Sequence, residues 1–330
     1  MSSRMNHTQL ALMLSRVPHL GPRGAYNILT RIEQGADIFS SPVERLTQSY
    51  KLTAIAAEYL AENAVSLLEE SAELLRKVNE LGITVITIRD TDYPTSLKVY
   101  QRHLPPVIYA YGNLQLLQEK RFAVVNSANM GQCGSKATAD IAEFLIDEGL
   151  VSVTGHNNAP YQLALLSAKR KRAPVVIALD RGIINTFHGL MDWQPVAAAR
   201  IWDPEFDRDK DLVISQLRLG DPWIGENSKL RDRMVFGLAD VVIAGEVRPG
   251  GVMEKECLFA RNRGRELYVC SFGESEPEGN AKLIESGCQP LDATDAQSQL
   301  VSMCLAPMFE GKMDDAAESV AEAIGDYEVE

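Results

Sequence analysis

The sequence of 330 residues is poor in cysteine and histidine and has no long apolar run. Its five cysteines are widely spaced and form no C-x-x-C pair, which excludes a zinc ribbon and a disulfide framework. The five histidines show no metal-binding spacing, so neither a metal nor a cofactor is expected. No apolar stretch reaches the roughly 20 residues that span a bilayer, and the first residues lack a signal-peptide core. These absences predict a cytoplasmic protein with no membrane partner.

Basic charge is also in deficit, because 33 lysines and arginines stand against 45 acids and give a net charge of −12. A surface that is basic throughout, as bulk nucleic-acid binding favours, is therefore not expected. More than half of the acidic excess lies in residues 310–330, which hold eight acids and one lysine. A local basic cluster such as Lys169, Arg170, Lys171 and Arg172 can still contact a nucleic acid.

The apolar pattern divides the chain into three parts. Up to Gly82, apolar residues recur three and four positions apart, which is typical of helices. Further on, β-rich runs alternate with helical stretches, at 83–88, 107–110, 122–125, 151–154, 174–179, 241–244 and 267–270. This alternation predicts an α/β fold, an extended Rossmann-like and largely parallel doubly wound sheet behind a small all-helical domain. The expected domains are 1–82, 83–305 and an acidic tail, 306–330.

The loop at 124–134, Val-Val-Asn-Ser-Ala-Asn-Met-Gly-Gln-Cys-Gly, lies between a strand pattern and a helix pattern. A dinucleotide-binding loop has glycines here, for a tight turn and for close approach to a pyrophosphate. This loop instead offers Asn126 and Ser127. We expect these two residues to contact phosphate.

Two further strand ends carry candidate phosphate contacts. Gly155 and Asn157 follow the run at 151–154, where an open α/β sheet holds its ligands, although an ordinary polar turn is an equal alternative. The turn at Gly250 and Gly251 follows the run at 241–244 and leads into a helix, so its backbone amides are expected to form an anion site.

Arg231 and Arg233 lie two positions apart at the start of a helical stretch. Guanidinium groups suit phosphate because they bind it in a bidentate manner and keep their charge at neutral pH. Asp232 lies between them, so an internal salt bridge is the alternative interpretation.

Residues 17–29, Val-Pro-His-Leu-Gly-Pro-Arg-Gly-Ala-Tyr-Asn-Ile-Leu, have the form of a helix-hairpin-helix. In that element the hairpin amides and the next helix's positive end face a DNA phosphate. Gly21 would form the turn and Arg23 would add charge. An ordinary helical hairpin is the alternative.

Four stretches in this order resemble the DNA-processing protein DprA (Smf) family. Tyr93-Pro94 with 106–113 resembles "YP..L....P.vLy..Gn", and 124–134 resembles "aiVGsR..s.yG". Residues 231–246 resemble "RNRiiagLs..vvVvEa", and 278–288 resemble "G.n.LI..GA". With the helical hairpin, the resemblance covers about residues 10 to 290.

The resemblance implies a helical domain joined to an extended Rossmann domain. It also implies a non-catalytic, homodimeric protein that binds single-stranded DNA without sequence preference and helps to load a RecA-type recombinase. The chain departs from the family pattern at several of these positions. Asn126 and Ala128 replace the glycine and arginine of "GsR", Asp232 replaces the asparagine of "RNR", and Gly250 replaces the serine of the family's "SG".

Two other functions stay open. Pro249-Gly250-Gly251 and Glu256 resemble part of the "PGGxGT..E" signature of phosphoribohydrolases, which would make the chain a nucleotide-binding or nucleotide N-glycoside-hydrolysing enzyme. Met253 and Glu254 replace the Gly-Thr of that signature. The second alternative is a partner-binding scaffold in a DNA-defence system.

Overall fold

The computed structural model describes residues 6–32, 38, 41–100, 104–156, 158–188 and 206–305. The predicted site residue Asn157 and the acidic tail, 306–330, lie outside these residues. Within them, the chain forms a group of helices followed by one mixed α/β sheet.

Five α-helices precede the first strand in the described residues. They are α1 His7–Ser15, α2 Pro22–Arg31, α3 Val43–Gln48, α4 Ala54–Glu62 and α5 Ala64–Glu80. The side chain of Asn6 starts α1 by accepting the Gln9 N–H at 2.7 Å, and Pro22 stands at the first position of α2, where its missing N–H costs nothing. Helix α1 packs against α2, α5 and the first strand, so the helical hairpin is attached to the sheet.

The sheet contains nine strands in the described residues, in the order β1-β2-β6-β5-β4-β3-β7-β8-β9. The strands are β1 Thr84–Thr87, β2 Val107–Gly112, β3 Arg121–Val125, β4 Val151–Gly155, β5 Val175–Ala178, β6 Leu212–Ser215, β7 Val241–Ala244, β8 Glu266–Ser271 and β9 Gln289–Asp292. Only β2 pairs antiparallel, with β1 and with β6, and the ladder from β6 to β9 is parallel throughout. The predicted α/β fold with a largely parallel sheet is confirmed.

Helices cover the sheet in two packed groups. The remaining α-helices of the described residues are α6 Thr95–Tyr100, α7 Gln132–Asp147, α8 Ala159–Arg170, α9 Ile183–Thr186, α10 Asn227–Leu238, α11 Val252–Asn262, α12 Glu278–Glu285 and α13 Ala296–Leu300. Helix α7 packs against α8 and α13, whereas α10 packs against α6 and α11. Every residue of β3, β4, β5, β6 and β7 is buried, as expected for central strands covered on both faces. None of the described helices combines the length and apolarity needed to cross a membrane.

The strand order indicates at which edge of the sheet a ligand site is expected. From β3 the chain moves outward through β4, β5 and β6, and then returns to β7 on the other side of β3. In open α/β sheets, ligands bind outside the carboxyl ends of the strands at such a reversal. A ligand site is therefore expected at the loops after β3 and β7.

Candidate nucleic-acid interface

The loops after β3 and β7 are tied to each other by Asn126 and Ser127. The Asn126 amide donates to Thr138 Oγ1 at 2.9 Å, and its oxygen accepts the Glu246 N–H at 2.6 Å. The Ser127 N–H donates to the Glu246 carbonyl at 2.8 Å, and its hydroxyl oxygen accepts the Arg248 N–H at 2.8 Å. Asn126 is only 1% exposed, so it fixes the floor of the site. Ser127 still has its hydroxyl proton to donate to a ligand.

Two amides at helix starts on this edge are taken by carboxylates of the chain itself. Glu246 Oε2 accepts the N–H of Gly131, the residue that precedes α7, at 2.8 Å. Glu254 Oε2 accepts the N–H of Gly250 at 2.7 Å, just before α11. The amide of Gly250 is therefore not vacant for an anion. The N–H of Gly251, the N-cap residue of α11, donates to the Arg248 carbonyl at 3.3 Å.

An open cleft of about 720 Å³ lies above these loops, and we call it the carboxyl-edge cleft. The ends of β3, β4, β5, β6 and β7 all contribute to it. Its lining residues are Asn126, Ser127, Ala128, Asn129, Asn158, Asp180, Arg181, Trp223, Gly225, Ser228, Lys229, Arg231, Asp232, Arg248, Gly251, Val252 and Met253.

The cationic side chains of this cleft differ in whether they already form an ion pair with a carboxylate. Lys229 and Arg248 are exposed, and neither has an ion-pair partner in the part of the chain that the structure describes. The guanidinium of Arg181 lies 3.1 Å from the Asp180 carboxylate. Lys229 and Arg248 are thus the cations most available to an incoming phosphate.

Arg231 lies under the cleft, with its guanidinium in ion pairs. It is 4% exposed and contacts Asp180 at 3.1 Å and Asp232 at 3.0 Å. It also donates to the His156 carbonyl and lies over the ring of Tyr161 at 5.0 Å. Burial alone would raise the pKa of Asp180, but His156, Arg181 and Arg231 hold it below its usual value.

The Arg231 and Arg233 side chains are not brought together. Residues two apart on a helix point in opposite directions, and Arg233 instead pairs with Glu256 at 3.3 Å. Glu256 is buried and also accepts a hydrogen bond from Tyr100 at 3.3 Å. Burial raises the pKa of the Glu256 carboxyl, which the charge of Arg233 partly offsets. Neither Arg233 nor Glu256 lines the carboxyl-edge cleft.

The basic cluster at 169–172 lies at the opposite edge of the sheet, because α8 runs back from the end of β4 to the start of β5. Lys169 is paired with Asp211, Arg170 with Glu143 at 3.8 Å, and Lys171 with Asp147 at 2.7 Å. Lys169 and Arg170 stand in the last turn of α8, where the helix dipole favours cations.

Gly155 is required for packing. A Cβ there would lie 2.6 Å from the ring of Tyr161 and 2.9 Å from Arg231 Cδ, so only glycine fits. Gly21 and Arg23 stand at the start of α2, in the helical part of the chain.

The cleft residues that the sequence reasoning missed include Trp223, Lys229 and Arg248. Trp223 is 52% exposed. Trp223 and Lys229 follow β6, which the sequence analysis did not assign as a strand. Assignment of the short run at 212–215 to a strand is the signal that could have found them. Arg248 lies four residues after the end of the predicted strand 241–244, and this place near the carboxyl end of a strand is the signal that could have found it.

Cleft and fold together define an α/β protein of the Rossmann type that offers a polar cleft at its topological switch point. Residues 84–302 match the model of the DNA recombination-mediator protein A family. The chain therefore belongs to this family, the DprA family that its sequence motifs resemble.

Individual relatives agree with this assignment. The DNA processing protein DprA of Streptococcus pneumoniae is 25% identical over 206 residues, 62% of this chain and 69% of that protein. The X-ray structure of DprA from that organism superposes with a TM-score of 0.69 at 18% identity, covering 91% of this chain and 99% of that one. A structure of DNA processing protein A from Helicobacter pylori, described for its single-stranded DNA binding mode, has a TM-score of 0.54 at 18% identity, covering 66% and 96%.

Proposed function

We propose that this protein binds single-stranded DNA in the carboxyl-edge cleft and acts as a non-catalytic accessory in DNA processing. Membership of the DNA recombination-mediator family supports a role in DNA processing. The Helicobacter pylori relative, whose structure is described for single-stranded DNA binding, supports this ligand.

The observation that carries the proposal is a pair of exposed cations in one cleft that have no ion-pair partner among the described residues. Lys229 and Arg248 are exposed, and the second stands beside the Ser127 hydroxyl, which accepts the Arg248 N–H. A phosphate placed there would meet two cations and a hydroxyl donor without the breaking of any ion pair. At Arg231 or Lys169 it would first have to open a buried ion pair, which is costly.

The acidic surface of the molecule favours single-stranded over duplex DNA. With a net charge of −12, the protein has no excess of cations with which to cover a long duplex. A local cleft with a few cations can instead follow one flexible backbone. The alternative hydrolytic function would use Glu256, but that carboxyl is buried against Tyr100 and Arg233, away from the cleft.

The test is a salt titration of binding to oligo-dT and to a duplex of equal length. We expect the single strand to bind more tightly and its affinity to fall with salt. Lys229→Ala and Arg248→Ala should each weaken binding and reduce the salt slope by about one. Arg172→Gln removes a cation at the opposite edge of the sheet and is the matched control. No binding of oligo-dT at low salt, together with tight binding of a nucleotide, would establish the nucleotide alternative instead.

A RecA-type recombinase is the proposed protein partner, and a homodimer the proposed assembly. Both rest on the family assignment. Light scattering of the purified protein tests the dimer. The recombinase role predicts that the protein shortens the lag of recombinase ATPase activity on single-stranded DNA, and an unchanged lag would contradict it.

The helix-hairpin-helix around Gly21 and Arg23 is a proposed second DNA contact, which Arg23→Gln tests in the same salt titration of oligo-dT binding.

A further inference from the structure

We infer that Trp223 is a base-stacking platform, so that the carboxyl-edge cleft holds an unpaired base as well as a phosphate. This inference rests on the proposed function. It adds a specific residue and a specific part of the nucleotide that the residue recognises.

The position of Trp223 is unusual for a tryptophan. Its side chain is 52% exposed and lines the cleft, whereas tryptophan is highly buried on average. A single exposed apolar residue on a convex surface is common and does not indicate a ligand site. Trp223 instead lies in a concave site together with two exposed cations, Lys229 and Arg248.

The loop that carries Trp223 is held on both sides. Before it, the Asp221 carbonyl accepts the Gly182 N–H at 2.9 Å, and the Asp221 carboxylate accepts the Arg218 N–H at 3.0 Å. After it, the Ile224 carbonyl accepts the N–H of Asn227, the first residue of α10, at 2.9 Å. Pro222 further restricts the backbone next to the tryptophan. The indole is therefore presented from an anchored turn, which lowers the entropy lost when a ligand binds.

The chemistry of the cleft matches a nucleotide of a single strand. A nucleotide has a flat π-face and an anionic phosphate, and the cleft offers an indole and two cations. Stacking on an aromatic ring is independent of base identity because every base has a π-face. A paired base in a duplex has both faces covered by its neighbours, so Trp223 would select unpaired DNA.

The experiment compares two oligonucleotides of equal length and charge, oligo-dT and an abasic deoxyribose-phosphate strand. The wild-type protein should prefer oligo-dT, and Trp223→Ala should lose roughly 5- to 100-fold of its affinity for oligo-dT, the range expected for one stacked base. Its affinity for the abasic strand and its salt slope should stay unchanged. Trp223→Phe should recover much of the loss. Ile224→Ala, on the same loop and 53% exposed but outside the cleft lining, is the matched control.

Each outcome separates this inference from the proposed function. Equal binding of oligo-dT by wild type and Trp223→Ala would overturn the stacking role while leaving the DNA site in place. Equal losses on both strands would mean that Trp223 acts only through the fold or through a protein contact, and would also overturn it. Failure of the wild-type protein to bind either strand at low salt would overturn the proposed function itself.

Discussion

Arg231 connects three parts of the molecule through its buried guanidinium. It contacts Asp180 at the end of β5, Asp232 in its own helix and the His156 carbonyl after β4. Removal of one member of a buried ionic group is expensive because the partners are left buried and unpaired. The residue therefore supports the cleft from beneath.

The first prediction follows from this burial. Arg231→Ala should lower the free energy of unfolding by about 3 to 5 kcal/mol, because it leaves Asp180 and Asp232 without their shared cation. Arg76→Ala is the control, since Arg76 and its partner Glu80 are both exposed and their pair should contribute about 1 kcal/mol or less. Urea denaturation measures both. Similar losses for the two variants would show that the Arg231 ion pairs are not the main source of the difference.

The second prediction concerns pH. The pKa of Asp180 is lowered in the folded protein, so its ionised form stabilises the fold above the unfolded pKa, about 3.9. That stability is lost as pH falls through the folded pKa. Asp180→Asn should thus be less stable than wild type at pH 7, and the gap should narrow below about pH 4. Urea denaturation at pH 7, 5 and 3.5 measures the gap, and a gap of constant size would contradict the pKa shift.

At the scale of elements, the start of α11 carries an acid next to the proposed DNA site. Glu254 accepts the Gly250 N–H at 2.7 Å in the first turn of that helix, whose N-cap Gly251 lines the cleft. A carboxylate at a helix start stabilises the helix, but it also repels a phosphate that approaches the same end.

The third prediction is that Glu254→Gln tightens binding of oligo-dT at low salt. The amide keeps an acceptor for Gly250 and removes the charge, so a gain of roughly two- to fivefold is expected, with a loss of helix stability of about 0.3 to 1 kcal/mol. The gain should shrink as salt increases. Glu278→Gln is the control, because Glu278 also stands in the first turn of a helix but pairs with Lys282 away from the cleft. Equal effects of the two variants on binding would rule out a local role for Glu254.

Element by element, the sequence pattern predicted the central strands well because they are buried apolar runs between turn signals. It missed β6, whose four residues follow the charged stretch 207–211, and β9, which is mostly exposed and contains a proline.

The sequence pattern also could not place side chains relative to one another. Arg231 and Arg233 are close in sequence but point to different partners, and Lys169 to Arg172 lie on the wrong edge of the sheet for the cleft. Trp223 and Arg248 line the same cleft because β6 and β7 both end at this edge.

At the scale of the whole molecule, charge opposes the proposed ligand. The net charge of −12 repels DNA at long range, while Lys229 and Arg248 attract it at short range. Much of the repulsion comes from residues 310–330, which lie outside the described residues but contribute eight acids and one lysine. Their effect on binding depends on ionic strength, because the Debye length falls from about 30 Å at 0.01 M salt to about 8 Å at 0.15 M.

The last prediction is that the shortened chain 1–309 binds oligo-dT more tightly than the full chain at low salt. Removal of a net charge of −7 should give roughly a two- to fivefold gain, the scale of screened surface charges. The difference should disappear toward physiological salt. A full-length variant with the eight acids changed to Asn and Gln keeps the length and removes the charge, so it should behave like the shortened chain. If that variant instead matches wild type while the shortened chain binds more tightly, the segment blocks DNA by its presence. Equal affinities of all three proteins at low salt would show that the tail does not compete with DNA for the cleft cations.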